Sequence, residues 1–190
     1  MTARAPPNPS AIGARPNRAA IAALIFARRL STQRESCVIW DRKTAAPPTP
    51  VLSWQDQRTE GVCARLRSAG HGDVIRRRSG LPLDPMFSAA KARWLLDSLP
   101  SGQADARAAE ICIGTIDSFL LSRFGGEAVI EAGNASRTQL FNVVGARWDE
   151  ELLSIFDIPI AAMPRVVSSI GPLPAAKGLA HCRTAFPSAR

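Results

Sequence analysis

The chain has 190 residues, of which 46% are hydrophobic and 21% charged, a composition typical of one packed domain. No apolar run approaches the roughly 20 residues that a membrane-spanning helix needs, so the sequence excludes a transmembrane protein. The formal net charge is +8, but residues 1–30 hold five arginines and no acidic residue, whereas residues 31–180 are nearly neutral. Because the charge is concentrated at the ends of the chain, it does not predict a nucleic-acid-binding domain.

Cysteines and histidines form no metal-binding pattern in this sequence. There are only two histidines, and the cysteines are far apart and form no C-x-x-C motif, at Cys37, Cys63, Cys112 and Cys182. We therefore expect no metal site and interpret the cysteines as small buried side chains in a reducing cytoplasm.

Composition divides the chain into three parts. Residues 1–30 are rich in proline and arginine and predict a disordered or atypical extension, although the apolar stretch 19–30 also resembles a targeting helix. Residues 31–172 carry the patterns of a folded domain. Residues 173–190 return to Gly, Pro and Ala and are interpreted as an atypical tail.

Within the central part, short apolar segments alternate with helical patterns, which predicts an α/β fold. Strands are expected at 37–40, 51–54, 111–113, 129–130 and 140–141. Helices are expected at 56–69, 88–98, 104–109, 115–125 and 150–156, with Ser88, Thr115 and Asp149 as N-caps. In the helix that follows Thr115, we expect Phe119, Leu120 and Phe124 to face the core.

The sequence contains no self-sufficient catalytic motif of the P-loop, dinucleotide, serine-hydrolase or zinc-protease type. Instead, a series of segments in a fixed order resembles the FGGY family of carbohydrate kinases, and among them the glycerol kinases. The segments are TQRES (32–36), VIWD (38–41), VLSWQDQRT (51–59), GLPLDPMFS (80–88), KARWLL (91–96), GTIDSFL (114–120), NASRTQLFN (134–142) and WDEELL (148–153). The resemblance covers about residues 31–172. It implies part of an actin-like, ribonuclease H-like ATPase domain, with an incomplete mixed sheet and helices.

The resemblance also implies a substrate-binding site for a polyol or sugar. Arg34 and Glu35 would bind the hydroxyl groups, because a guanidinium donates and a carboxylate accepts hydrogen bonds. Trp54 would stack on the carbon backbone of the ligand, and Met86, beside Phe87, would border it. A surface ion pair remains the alternative for Arg34 and Glu35, since neighbouring residues of a regular strand point to opposite faces. Core packing remains the alternative for Trp54.

Some residues depart from the family pattern. Glycerol kinases usually carry tyrosine where this chain has Met86, so the resemblance leaves the choice of polyol or sugar open. The family usually has aspartate before the NASRT segment, where this chain has Glu131. We interpret four polar residues as structural groups that hold turns, namely Asp117, Asn134, Ser136 and Arg137.

Catalysis in the intact family requires ATP and Mg²⁺, held by an Asp-x-Gly-Thr hairpin, and an aspartate base in a Gly-Asp-Gln segment. Residues 1–30 contain no aspartate, and the expected position of the base lies beyond the end of this chain. The resemblance therefore predicts a cytoplasmic kinase fragment that is inactive by itself and has no catalytic residue of its own. The alternatives are a non-catalytic polyol-binding protein, a protein that docks on a full-length kinase homologue, and nucleic-acid binding by the arginine-rich ends.

Overall fold

The computed structural model describes residues 32–170. The expectations for residues 1–30 and 173–190 lie outside the described residues. The fold is α/β, as the sequence predicts, and its order of elements alternates strands with helices.

Seven α-helices, one short 3₁₀ helix and six strands make up the described part of the chain. The helices are α1 (Glu60–Ser68), α2 (Gly72–Ser79), α3 (Ser88–Ser98), α4 (Gly102–Arg107), α5 (Ile116–Gly125), α6 (Ala132–Ala135) and α7 (Glu150–Ile155), and the 3₁₀ helix is Ile160–Ala162. The strands are β1 (Val38–Asp41), β2 (Ile111–Gly114), β3 (Val129–Glu131), β4 (Phe141–Asn142), β5 (Arg147–Trp148) and β6 (Arg165–Val167).

The strands form three two-stranded sheets within the described residues. Strands β1 and β2 are antiparallel, with Ile39 opposite Ile113, and β4 and β5 form an antiparallel hairpin. Strand β6 pairs with β3 in parallel, with Val166 opposite Ile130. Strand β6 was not predicted, because a strand of three residues is too short to show an alternation of apolar and polar side chains. Its partner also lies 36 positions away in sequence.

The main core lies on one face of β1 and β2. Cys37 and Ile39 of this face pack with the buried side of α3, where Leu95 and Leu96 are fully buried, and with Phe156 after α7. Cys37, Cys63 and Cys112 are buried free thiols, and burial raises the pKa of Cys37 and Cys112 to about 12. The expectation of small buried cysteines is confirmed for these three.

Helix α5 covers the other face of β1 and β2, and the prediction of its inward side is confirmed for Phe119 but wrong for Phe124. Its buried residues are Asp117, Ser118 and Ser122, whereas Phe124 is exposed. Trp40 of β1 lies edge-on to Phe119 at 5.7 Å, and its indole nitrogen donates to Ser122 Oγ at 3.0 Å. The Trp40 indole therefore packs against the Phe119 ring, while the Ser122 hydroxyl accepts its hydrogen bond.

Some local predictions were wrong. The segment 51–54 is not a strand: only Leu52 pairs, by one bridge with Cys37, because the N–H of Trp54 binds Ser36 Oγ instead. Ser88 is the first residue of α3 rather than its cap. Thr115 is the N-cap residue of α5 as predicted, but its hydroxyl donates to Asp117 and makes no cap bond with a backbone N–H. Helix α2 was not predicted, since Ile75 is its single buried apolar residue. The cap at Asp149 is confirmed, and its carboxylate accepts from the N–H groups of Glu151 and Leu152.

Candidate functional site

The predicted substrate residues Arg34 and Glu35 lie in a tight turn immediately before β1. The N–H of Ser36 donates to the carbonyl of Arg34 at 2.8 Å, and Glu35 has a φ of 66°. This left-handed conformation is uncommon for a residue other than glycine. The objection that neighbouring residues point to opposite faces of a strand therefore does not apply, because the pair precedes the strand.

The Glu35 side chain is mostly buried and forms an ion pair with a residue 102 positions away. Its Oε1 accepts from Arg137 Nε at 2.7 Å, and 15% of the side chain is exposed. The guanidinium carbon of Arg137 also lies 5.1 Å from the centre of the Phe87 ring. The interpretation of Arg137 as a turn-holding residue is wrong, because its side chain reaches across to Glu35. No local sequence signal links these two residues, since the pairing arises only from the fold.

The Arg34 side chain is exposed, and its positive charge contributes to lowering the pKa of Glu131, the N-cap residue of α6. Burial alone would raise the pKa of Glu131, but hydrogen bonds from Ser169 and from the N–H groups of Gly133 and Asn134, with the charge of Arg34, lower it. Glu131 caps α6 through those two N–H groups, at 2.6 and 3.0 Å. Glu131 therefore serves as the cap of α6, at the position where the family usually has aspartate.

The other residues interpreted as structural keep that role. Ser136 Oγ donates to the carbonyl of Gly133 at 2.8 Å, and Asn134 Nδ2 donates to Glu131 at 3.3 Å. Asp117 accepts from the Thr115 hydroxyl and, at 3.4 Å, from the N–H of Glu131. These contacts tie the first turn of α5 to the segment that faces Arg34 and Glu35.

Trp54 lies beside the same turn and is 40% exposed. Its N–H donates to Ser36 Oγ at 3.1 Å, and Ser36 itself is fully buried. The core-packing alternative for Trp54 does not hold, because its side chain is not among the buried residues of any core cluster within residues 32–170. Its exposed ring surface is available for stacking.

Met86 belongs to a loop that a buried lysine holds. Lys91 of α3 is fully buried, and its ammonium group donates to the carbonyl of Pro85 and, at 3.0 Å, to that of Met86. The N–H of Met86 donates to Asp84 Oδ1 at 2.8 Å. Burial lowers the pKa of Lys91. Burial of Lys91 was not predicted, although a lone lysine among Ala89, Ala90 and Ala92 is the visible signal of a buried cation.

Hydrogen bonds thus link the three loops that carry the four predicted residues, Arg34, Glu35, Trp54 and Met86. The Arg34–Glu35 turn contacts Trp54 through Ser36, and Ser88 Oγ donates to the carbonyl of Glu35 at 2.9 Å. Ser88 follows Met86 and Phe87 directly. Two surface clefts, of about 300 and about 390 Å³, lie elsewhere and include none of the four.

Comparison with known proteins identifies the family of this chain. The model of the N-terminal domain of the FGGY family of carbohydrate kinases matches residues 20–173. The chain belongs to this family. FGGY relatives of high similarity include the glycerol kinase of Aromatoleum aromaticum, 49% identical over 157 residues that cover 81% of this chain and 32% of the relative. The glycerol kinase of Dechloromonas aromatica is 46% identical and covers 80% of this chain and 30% of the relative.

Solved FGGY structures show the same fold. The glycerol kinase of Plasmodium falciparum, solved with ADP, superposes with a TM-score of 0.73 at 28% identity over 76% of this chain and 29% of that protein. A ligand-bound xylulose kinase from Lactobacillus acidophilus gives 0.68 at 21% identity, over 84% of this chain and 34% of its own. The prediction of a partial actin-like fold is confirmed. The chain spans about a third of the length of the curated relatives that it matches.

Within residues 32–170 of this FGGY chain, no group of three or more His, Cys, Asp or Glu side chains is arranged to hold a metal ion. Of the glycines with positive φ, Gly80 and Gly126 cap the ends of α2 and α5, and Gly70 lies between α1 and α2. In the same part of the chain, no helix is both long and apolar enough to cross a membrane.

Proposed function

We propose that this chain carries the acceptor-substrate site of a glycerol kinase-like enzyme. In the whole enzyme, this site would hold glycerol, or a related polyol or sugar, for phosphorylation by ATP. The proposal is supported by the family and by the glycerol kinases at 46% to 49% identity. It places the substrate at the Arg34–Glu35 turn, beside Trp54 and Met86.

The observation that carries the proposal is the arrangement of the Glu35 carboxylate. Its Oε1 binds Arg137, whereas its Oε2 accepts no hydrogen bond from residues 32–170. Oε2 is not among the buried atoms that lack a hydrogen-bond partner in the described residues, so a ligand hydroxyl can donate to it without displacing a bond within the protein.

Polyol chemistry matches the groups around this oxygen. Each hydroxyl of a polyol both donates and accepts, so one hydroxyl can donate to Glu35 while the exposed guanidinium of Arg34 donates to another. Each such charge-assisted hydrogen bond contributes about 1.5–3 kcal/mol. The half-exposed ring of Trp54 offers an apolar surface to the C–H groups on the other side of the ligand.

Phosphoryl transfer needs groups that position and neutralise phosphates and a base that accepts the hydroxyl proton. We assign these roles to the parts of the whole enzyme that correspond to the two thirds of the relatives beyond this match. The chain by itself would then bind a polyol without transferring phosphate to it.

The test is a titration of the purified chain with glycerol, erythritol and xylulose, followed by calorimetry and by amide NMR shifts. We expect saturable binding of at least one of them, with shifts at the Ser36 and Trp54 amides, and its loss in Glu35→Gln and Arg34→Ala. The matched control is Glu127→Gln, which breaks an exposed ion pair with Arg165 at 3.2 Å and should leave binding unchanged. Identical null titrations for the wild type and all variants would remove the proposal.

An assay for ATP-dependent glycerol phosphorylation tests the proposal that this chain binds a polyol without transferring phosphate to it. The purified chain should give no product. Turnover that disappears in Glu35→Gln would show that the chain carries its own nucleotide machinery and would overturn this part of the proposal.

A further inference from the structure

We propose that Arg137 is a positioning residue of the polyol site, which holds the Glu35 carboxylate in the orientation that a hydroxyl group requires. This inference rests on the proposed function for its substrate, but its structural part is testable without any ligand. Arg137 lies in the NASRT segment, outside the residues to which the sequence assigned polyol binding.

The first argument is the backbone of Glu35. A glutamate with a φ of 66° occupies a sparsely populated region, and such a conformation persists only where surrounding contacts hold it. Two contacts from other parts of the fold do so. Ser88 Oγ donates to the Glu35 carbonyl at 2.9 Å, and Arg137 Nε donates to the carboxylate at 2.7 Å.

The second argument is that Arg137 is itself held on a rigid support. Its N–H donates to the carbonyl of Asn134 at 3.1 Å, at the end of α6. The next residue, Thr138, is buried, and its carbonyl accepts from the N–H of Ala89 at 2.9 Å, which joins this segment to the start of α3. The guanidinium carbon also lies over the Phe87 ring, 5.1 Å from its centre, where the ring attracts the positive charge.

The contact between Arg137 and Glu35 also leaves one carboxylate oxygen, Oε2, available to a ligand. The hydrogen bond between the two side chains joins Arg137 Nε to Glu35 Oε1 at 2.7 Å. The arrangement therefore orients Oε2 and leaves it without a hydrogen-bond donor from residues 32–170.

The experiment compares Arg137→Gln and Arg137→Lys with the control Arg165→Gln, which breaks the exposed pair with Glu127. Amide hydrogen exchange of the ligand-free chain is measured at Ser36 and Trp54, whose N–H bonds define the turn, and at Leu152, in the distant cap of α7. Glycerol affinity is measured by NMR titration of the same samples.

We expect exchange at Ser36 and Trp54 to be roughly tenfold faster in Arg137→Gln, with Leu152 unchanged. Arg137→Lys should recover part of this protection, because an ammonium group keeps the charge and one donor. Glycerol should bind roughly tenfold more weakly to Arg137→Gln, as expected when a charge-assisted hydrogen bond is lost. Arg165→Gln should match the wild type in every measurement.

Unchanged exchange at Ser36 and Trp54 would overturn the inference, and so would an equal rise at Leu152, because the role would then be purely structural. Altered exchange with wild-type glycerol affinity would overturn the link to substrate. If the wild type shows the expected exchange pattern but binds no polyol, the proposed function fails while the positioning of Glu35 stands. Should Arg137→Gln not fold, Glu35→Gln breaks the same pair from the other side and must accelerate the same two amides.

Discussion

Two carboxylates in this chain pair with arginines, and they differ in how fully their oxygens are used. Asp149 accepts from the N–H groups of Glu151 and Leu152 at 3.0 and 3.1 Å, from Arg78 at 3.0 Å and from Asn142 at 2.7 Å. Both of its oxygens are saturated, and its side chain is 4% exposed. Its surroundings leave no capacity for a ligand.

Glu35 shows the opposite pattern. It is 15% exposed, accepts one side-chain hydrogen bond within residues 32–170, and lies in a left-handed turn rather than at a helix start. The comparison shows that a buried ion pair does not by itself mark a binding site, because the Asp149 pair has no acceptor position left for a ligand. Asp149 stabilises the fold, whereas we propose that Glu35 binds a ligand.

The largest effect is expected for Asp149, the carboxylate whose hydrogen bonds stabilise the fold. Asp149→Ala removes a helix cap and the buried partner of Arg78, so we expect the free energy of unfolding to fall by about 3 kcal/mol. Urea denaturation of the purified chain measures this. The control is Asp73→Ala at the exposed start of α2, which should change stability by less than about 0.5 kcal/mol. Equal effects of the two substitutions would show that the Asp149 network does not stabilise the fold.

Acid titration sharpens the comparison with a second buried aspartate. For Asp149, burial raises the pKa, but hydrogen bonds from Asn142, Leu152 and Arg78 outweigh it and hold the pKa below the ordinary 3.8. For Asp117, burial outweighs the hydrogen bonds from Thr115 and Glu131, and the pKa is raised.

The two shifts predict opposite trends with pH. The stability that ionised Asp149 contributes is present above pH 3.8 and is lost as the pH falls through its lowered folded-state pKa. For Asp117, stability is greatest below pH 3.8 and is lost as the pH rises through its raised folded-state pKa. On acidification, the advantage of the wild type over Asp149→Asn should shrink, and its advantage over Asp117→Asn should grow. Urea denaturation between pH 3 and 7 checks both, and parallel trends would contradict the assignment.

Sequence patterns predicted the elements whose signal is local. Strand β2, helix α3 and the Asp149 cap follow from an apolar triplet, an alanine-rich stretch and a capping residue before acidic positions. Strand β6 and the burial of Ser118 and Ser122 in α5 were not predicted, because one depends on a distant partner and the other on the packing around Trp40. Local periodicity carries no information about either.

The candidate site shows the same division. The resemblance to the family pointed to Arg34, Glu35, Trp54 and Met86, and the structure connects all four through neighbouring loops. Arg137 and Lys91 were not assigned to the site. Each acts by holding another residue from a distant or buried position, and only the folded chain brings it there.

The smallest effect is expected at Met86, in the proposed substrate site. Glycerol kinases usually carry tyrosine at this position, and Met86 directly precedes the Phe87 ring that lies against Arg137. Met86→Tyr adds a hydroxyl group to the proposed wall, so glycerol should bind roughly two- to fivefold more tightly, as expected for one neutral hydrogen bond. Xylulose should bind more weakly, because the ring occupies volume that a longer ligand needs.

NMR titration of glycerol and xylulose measures this shift in preference. The control is Ile160→Tyr, which adds the same side chain at a position that is 55% exposed and apart from the four site residues. A preference that shifts equally in both variants, or in neither while Glu35→Gln abolishes binding, would show that Met86 does not border the ligand. A shift confined to Met86→Tyr would extend the comparison from the Glu35 carboxylate to the whole site. One added hydroxyl group would change the preference between glycerol and xylulose only at a position where hydrogen-bonding groups remain available to a ligand.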